Sequence, residues 1–236
     1  MKPYGQFCPI SKASEILGER WTMLIVRELI CGGTRFNEIE RGIPGIPRAI
    51  LAQRLKALEH QKIIERREDQ TGKPRYNLTL TGHELSPVIM ALGEWGQRWL
   101  NRDIREEDVD VRLLMWDMHR RIHMDKLPLR KTVVQFDFKG AQAGVYWLLL
   151  DQAGTEVCDI YPGFPVDLYV TADALAMHRV WLGRMPLSEA LRRGLVELEG
   201  PSELVSQFPG WLALSHFAGI RPAQVPRSRV GQPATF

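Results

Sequence analysis

Apolar residues recur at helical spacing through the first hundred positions. Ile10, Ala13, Ile16 and Leu17 form a short stripe that ends at Gly18. Trp21, Leu24, Ile25 and Ile30 form a second, beginning near Glu19 and stopped by Gly32-Gly33. A third short helix fits Asn37 to Arg41. Pro44-Gly45 predicts a turn, and Pro47 suits the first turn of the helix that follows. On that fourth helix Leu51, Leu55 and Leu58 share a face, with Ile50 on its shoulder. At roughly 100° per residue, Ala49, Gln53, Lys56 and His60 point the other way, and Arg48 and Ala52 lie on a flank near its start.

The period then changes to that of strands. Ile63–Glu68 and Arg75–Leu80 flank the loop chemistry of Asp69-Gln70-Thr71-Gly72-Lys73-Pro74, which predicts a hairpin with Arg66, Arg67, Lys73 and Arg75 on its arms and tip. Thr81-Gly82-His83-Glu84 matches a capping box. A long helix follows, with Leu85, Val88, Leu92, Trp95 and Trp99 at helical spacing and a kink expected at Pro87. Such a long apolar stripe fits packing on the preceding helices and on a twofold mate.

Beyond the polar stretch 101–110, a helix carries Val109, Leu113, Trp116 and Met118. Strand-like runs come next at Thr132–Phe138, Gly144–Leu150, Thr155–Ile160 and Val166–Thr171. Helices at Ala172–Leu182 and Leu187–Arg193, a strand at Leu195–Glu199 and a helix at Pro201–Phe208 complete an α+β pattern. The domains expected are 1–101, a linker and connecting helix over 102–130, an α+β domain over 131–220 and a disordered tail over 221–236.

The fourth helix offers small residues for close approach and long polar ones to reach base edges, as a helix entering a DNA major groove requires. Charge supports this: residues 1–101 carry 15 Lys/Arg against 11 Asp/Glu, whereas the remainder carries a slight acidic excess. Arg48, Ala49, Ala52, Gln53 and Lys56 are the candidate helix contacts. Arg66, Arg67, Lys73 and Arg75 are candidate phosphate clamps, because long cationic tips bind backbone without sequence choice. Arg54, nearer the buried side, is expected to pair with a carboxylate within the domain.

These residues resemble the HxlR-type winged helix-turn-helix regulators. The resemblance rests on Cys8-Pro9, the run Gly18–Leu29, Arg35–Ile39, Pro44-Gly45-Ile46, Leu51–Glu59, Tyr76–Thr79, Gly82 and Leu92–Gly96. It implies a homodimer on double-stranded DNA, a recognition helix in the major groove and a hairpin wing on the backbone or minor groove. Cys8 stands where some members sense oxidants or electrophiles; the alternative is an inert thiol near the dimer seam. Pro47 departs from the small polar residue usual in the family, so a side-chain cap and a phosphate contact are lost there.

The second half resembles the sterol carrier protein fold, through its strand pattern, Asp167–Asp173, Trp181-Leu182-Gly183 and Leu195–Pro201. That fold encloses an apolar tunnel, which implies an apolar small-molecule effector. Phe136, Phe138, Trp147, Trp181, Phe208 and Trp211 are the candidate ligand contacts, with plain core as the alternative. The expected fold class is therefore α+β: a winged helix-turn-helix, mostly α with a hairpin wing, followed by a sterol-carrier-like domain.

Other chemistry is thin. No GxSxG, HExxH, P-loop or GxGxxG occurs, so no enzyme and no cofactor are expected. His119 and His123 have metal-ligand spacing for one helix, but no third ligand is evident and no metal is expected. The cysteines at 8, 31 and 158 form no CxxC pair, which fits a reducing cytoplasm. Met1–Gln6 leads into no apolar segment, and Val145–Leu150 is too short to span a bilayer, so neither a signal peptide nor a membrane partner is expected. The reading is a sequence-specific transcriptional regulator controlled by a small molecule or by thiol oxidation. The alternative is a lipid-like carrier whose first half only dimerises it.

Overall fold

The computed structural model describes residues 4–100, 104–140 and 142–223. Helices α1 (Pro9–Leu17), α2 (Thr22–Ile30), α3 (Phe36–Arg41) and α4 (Arg48–His60) lead into an antiparallel hairpin, β1 (Ile64–Glu68) and β2 (Pro74–Leu78). A single turn, α5 (Leu80–His83), precedes α6 (Ser86–Trp99). The leucine stripe of α4 meets Ile25 and Val26 of α2 and Ile39 of α3 in one core. The hairpin joins that core through Ile64, paired in register with Leu78. Its second strand is tied to the α2–α3 loop, where the Tyr76 N–H donates to the Thr34 carbonyl at 2.7 Å. This is a winged helix-turn-helix.

Three local expectations change. Pro47 is the N-cap of α4, one place earlier than a first-turn residue, and no side chain caps the helix there. Thr79, not Thr81, caps the next turn, accepting from the Gly82 N–H at 3.2 Å. Pro87 does not kink the helix: the helical run is interrupted at Glu84-Leu85, and Pro87 stands in the first turn of α6, where its missing N–H costs no helical bond.

The rest of the chain mixes helix and sheet. Strands β3 (Thr132–Lys139), β4 (Gly144–Asp151), β5 (Gly154–Cys158), β6 (Leu168–Asp173) and β7 (Val196–Glu199) form one sheet ordered β5-β4-β3-β6-β7. The β3–β6 pair is parallel and the others antiparallel. Helices α7 (Val111–His119), α8 (Ala174–Trp181), α9 (Leu187–Arg192) and α10 (Ser202–Trp211) complete it. The second core begins at Val109 and takes in Leu114, Met115 and Met118 of α7. The α7 helix ends at His119, so His123 does not sit one helical turn beyond it.

Strand alternation decides where the aromatic residues go. Phe136 and Phe138 lie on the covered face of the sheet and stack at 5.8 Å. Phe208 meets Phe136 at 6.1 Å and Trp211 at 5.8 Å. All four are closed off from solvent, so they fill core space. Trp147 has the opposite parity, faces outward beside Tyr161, and donates from Nε1 to Gln135 Oε1 at 3.1 Å. Of the six residues expected to contact a ligand, four are core here, Trp147 lies on the other face of the sheet, and Trp181 alone borders the cavity described below.

The expected disordered tail is described only to residue 223; residues 224–236 lie outside the described residues. Residues 221–223 run against the first unit, where the Ala223 N–H donates to the Arg98 carbonyl at 2.8 Å. Among the described residues, no helix is long and apolar enough to cross a membrane.

Candidate nucleic-acid interface

The α3–turn–α4 unit presents one face of α4 to solvent. Leu51, Leu55 and Leu58 are buried, while Arg48, Ala49, Ala52, Gln53 and Lys56 are exposed. The methyl side chains of Ala49 and Ala52 leave the helix backbone approachable between the longer side chains. Arg54 turns inward and pairs with Glu19 at 2.5 Å, with a further bond to the Arg20 carbonyl. This fixes the rotation of α4 about its own axis, and so fixes which face is free.

The cations around this face are not equivalent. Arg48 is held by Glu40 and by Asn37 Oδ1 at 3.2 Å, with its guanidinium over the Phe36 ring. It is braced on α3 although its side chain remains 64% exposed. Arg75 is a strut of the wing: it donates to Asp69 Oδ2 at 3.3 Å and to Thr34 Oγ1 at 2.9 Å. Arg67 pairs with Glu65 across two positions of β1 at 2.8 Å. Lys56, Arg66 and Lys73 are exposed and make no ion pair among the described residues.

The tip of the wing is shaped by Asp69. Its carboxylate accepts from the Thr71 N–H at 2.9 Å, the Thr71 hydroxyl at 2.6 Å and the Lys73 N–H at 3.1 Å. These donors, with Arg75 in support, hold its carboxyl far below the usual carboxylate range. A turn tied this way puts Gln70 and Thr71 at the apex and leaves exposed Lys73 on its shoulder, where its carbonyl accepts from the Asp69 N–H at 2.9 Å, beside Gly72 at φ +74°.

Cys8 is the N-cap of α1 and is half-buried. Backbone N–H groups of Ser11 and Ile10 aim at its sulfur and lower its pKa. Cys31 and Cys158 move the other way, each raised first by desolvation.

A buried polar cluster joins the two units. Glu28 of α2 is fully buried and accepts from Arg27 Nη2 at 2.8 Å, Trp116 Nε1 at 3.3 Å and Arg120 Nη1 at 2.8 Å. Gly42 makes room for it: a Cβ there would lie 1.8 Å from Glu28 Oε2. Beside this cluster lies a cavity of about 460 Å³ between α2 and α6 on one side and Asp117, Arg120, Arg121, Trp181 and residues 215–217 on the other. The segment at Phe217 can lie against α6 because position 93 is glycine; a Cβ there would meet the Phe217 ring at 2.3 Å. Sequence reasoning missed Glu28, Arg120 and the cavity. One signal was present: Glu28 falls three places after Ile25 and one before Leu29, on the apolar stripe of α2, where an unpaired carboxylate would be costly.

The described surface is that of a winged-helix DNA-binding protein. A model of the HxlR-like helix-turn-helix family matches residues 16–104. The chain is 34% identical over 100 residues to the uncharacterized HTH-type transcriptional regulator YvaP of Bacillus subtilis, covering 41% of this chain and 93% of that protein. It is 38% identical over 95 residues to the HTH-type transcriptional regulator YodB of the same organism, covering 39% of this chain and 85% of that protein. The structure of reduced YodB from B. subtilis covers 42% of this chain and all of that one, at 34% identity and a TM-score of 0.37. The chain belongs to the HxlR-like helix-turn-helix family of transcriptional regulators.

Proposed function

We propose that two copies of this chain bind one DNA duplex, each laying α4 in the major groove of a half-site. Gln53 then reads a base edge, Ala49 and Ala52 allow the approach, and Lys56 and Arg48 reach phosphate or base. Arg66, Arg67 and Lys73 of the wing grip phosphates, and Arg75 holds the wing in shape for them. The observation that carries this reading is the line of exposed Ala49, Ala52, Gln53 and Lys56 directly opposite three buried leucines. Dimerisation is supported by a solvent-facing apolar stripe on α6, where Trp95 is 53% exposed and Val88, Leu92 and Trp99 are also open. Phe7 and Ile10 extend exposed apolar surface to α1. Such area is more than an isolated winged helix needs, and a twofold mate both covers it and supplies the second half-site.

Control acts on the second unit or on Cys8. A sterol-carrier-like role for residues 131–220 is supported by the mixed sheet with one helix-covered face. An apolar effector bound at this unit shifts DNA affinity by favouring one dimer geometry over another. The lowered pKa of Cys8 supports thiol control, since the thiolate is the reactive species. Three free cysteines support a cytoplasmic site of action. Selecting bound fragments from a random DNA pool, then titrating a selected and an unselected fragment at two salt concentrations, tests the regulator reading. Selective binding that survives moderate salt is expected. Uniform weak binding to both fragments would instead favour the carrier.

A further inference from the structure

We infer that the cavity between the two units is the effector site, and that it takes a small amphipathic monoanion: an apolar body with one carboxylate-like head group. This rests on the regulator reading above and gives its effector a place and a chemistry. The walls are mostly apolar: Met23 and Leu24 come from α2, Ile89 and Met90 from α6, and Trp181 and Phe217 from the second unit. At about 460 Å³ the space lies within the range of small-molecule sites.

The charge on the wall defines the head group. Arg27, Arg120 and Arg121 border the cavity together with Asp117. Arg27 and Arg120 both bond Glu28, and Arg120 also bonds Asp117 at 2.6 Å, so two cations face two carboxylates. Arg121 meets only neutral acceptors, the Leu214 carbonyl at 2.7 Å and the His216 ring. Among the described residues it has no carboxylate partner. One cation in excess beside an apolar chamber is complementary to one anion on an apolar body.

The position gives the ligand leverage. One wall is built from α2 and α6 of the DNA-binding unit and the other from the second unit, so a ligand touching both binds best at one relative setting of the two. The α6 helix also carries the exposed apolar stripe assigned to the dimer. A ligand seated here therefore biases the spacing of the two α4 helices without touching DNA.

The test uses the full chain and two probes of equal apolar length, decanoate and 1-decanol, titrated calorimetrically. Decanoate is expected to bind once per chain and more tightly than decanol. Arg121→Gln is expected to weaken decanoate about 10- to 100-fold, the value of a charge-assisted bond, and to leave decanol unchanged. Arg121→Lys should restore most of the loss. Met90→Trp should fill the chamber and remove both probes, with thermal melts showing each variant folded. Equal binding of the two probes, or decanoate affinity indifferent to Arg121→Gln, overturns the anion site. So does a decanoate affinity that falls as the protein is concentrated, which would mark a second copy as the occupant. DNA titrations on a selected fragment separate the two levels. Loss of probe binding with intact DNA binding sinks the site and leaves the regulator standing. Arginine-dependent decanoate binding with unchanged DNA affinity leaves the site standing and sinks effector control.

Discussion

Glu28 and Arg120, 92 positions apart in the chain, meet at 2.8 Å and form a buried ion pair between the DNA-binding helices and the second unit. Glu28 is fully buried, so its charge is tolerated only while Arg27, Arg120 and the Trp116 indole supply donors. Breaking a buried pair from one side leaves the other charge uncompensated, at about 3–5 kcal/mol. Arg120→Met is expected to destabilise the protein by that order in urea unfolding. Adding Glu28→Gln to it should recover part of the loss. A single variant that unfolds at the wild-type midpoint would show that the pair does not hold the units together.

The free and the braced cation of the wing, Lys73 and Arg75, should separate by salt dependence. Lys73→Ala is expected to weaken binding to every DNA sequence and to flatten the slope of log affinity against log salt by about one unit. Arg75→Ala removes the strut to Asp69 and Thr34 and should lower thermal stability as well as affinity. Gln53→Ala should act differently again, relaxing preference at one base position by about 1–3 kcal/mol with the salt slope unchanged. Fluorescence anisotropy on a selected fragment and on a point-substituted one, over a salt series, distinguishes all three.

Trp95 lies at the centre of the uncovered stripe on α6. Replacing it with glutamate places a charge where an apolar mate would press. Trp95→Glu is expected to run as a monomer in analytical ultracentrifugation and to lose half-site cooperativity on DNA. Retention of a wild-type sedimentation coefficient would move the dimer contact elsewhere.

His119 is half-buried against Trp116, with ring centroids 4.4 Å apart, and desolvation lowers its pKa to about 4. The unfolded chain binds a proton near pH 6.5, whereas the folded one refuses it until about pH 4. The unfolded state therefore holds more protons between these values, and stability falls as pH drops from 6.5 to 4. The contribution of this group is on the order of 3 kcal/mol. His178 and His216 are also lowered and act in the same sense, so the single contribution is read by difference. His119→Gln should show a shallower fall in melting temperature over this window than the wild type.

Cys8 should react first among the three cysteines, because the helix N–H groups favour its thiolate and the other two thiols are raised. Limited iodoacetamide labelling followed by mass spectrometry is expected to modify Cys8 well ahead of Cys31 and Cys158. Equal labelling of all three would remove the basis for thiol control.

The first hundred residues were legible because their physics is local. Leu51, Leu55 and Leu58 recur at the helical period, so the sequence by itself determined which face of α4 is buried and left Gln53 and Lys56 outside. The hairpin arms, the strand pattern of the second unit and the inward turn of Arg54 followed from the same short-range rules. The tertiary structure decided what depends on long-range contact. It set Thr79 as the cap and made Arg75 a strut, because Thr34, across the α2–α3 loop, supplies its partner. It packed Phe136, Phe138, Phe208 and Trp211 against one another and, by the β3–β4 register, set Trp147 opposite Gln135 instead of beside Phe136. It also brought Glu28 to Arg120 and opened a chamber beside them. Periodicity records which side of an element is apolar, but not which other element covers it, and the chamber exists only where two such surfaces meet.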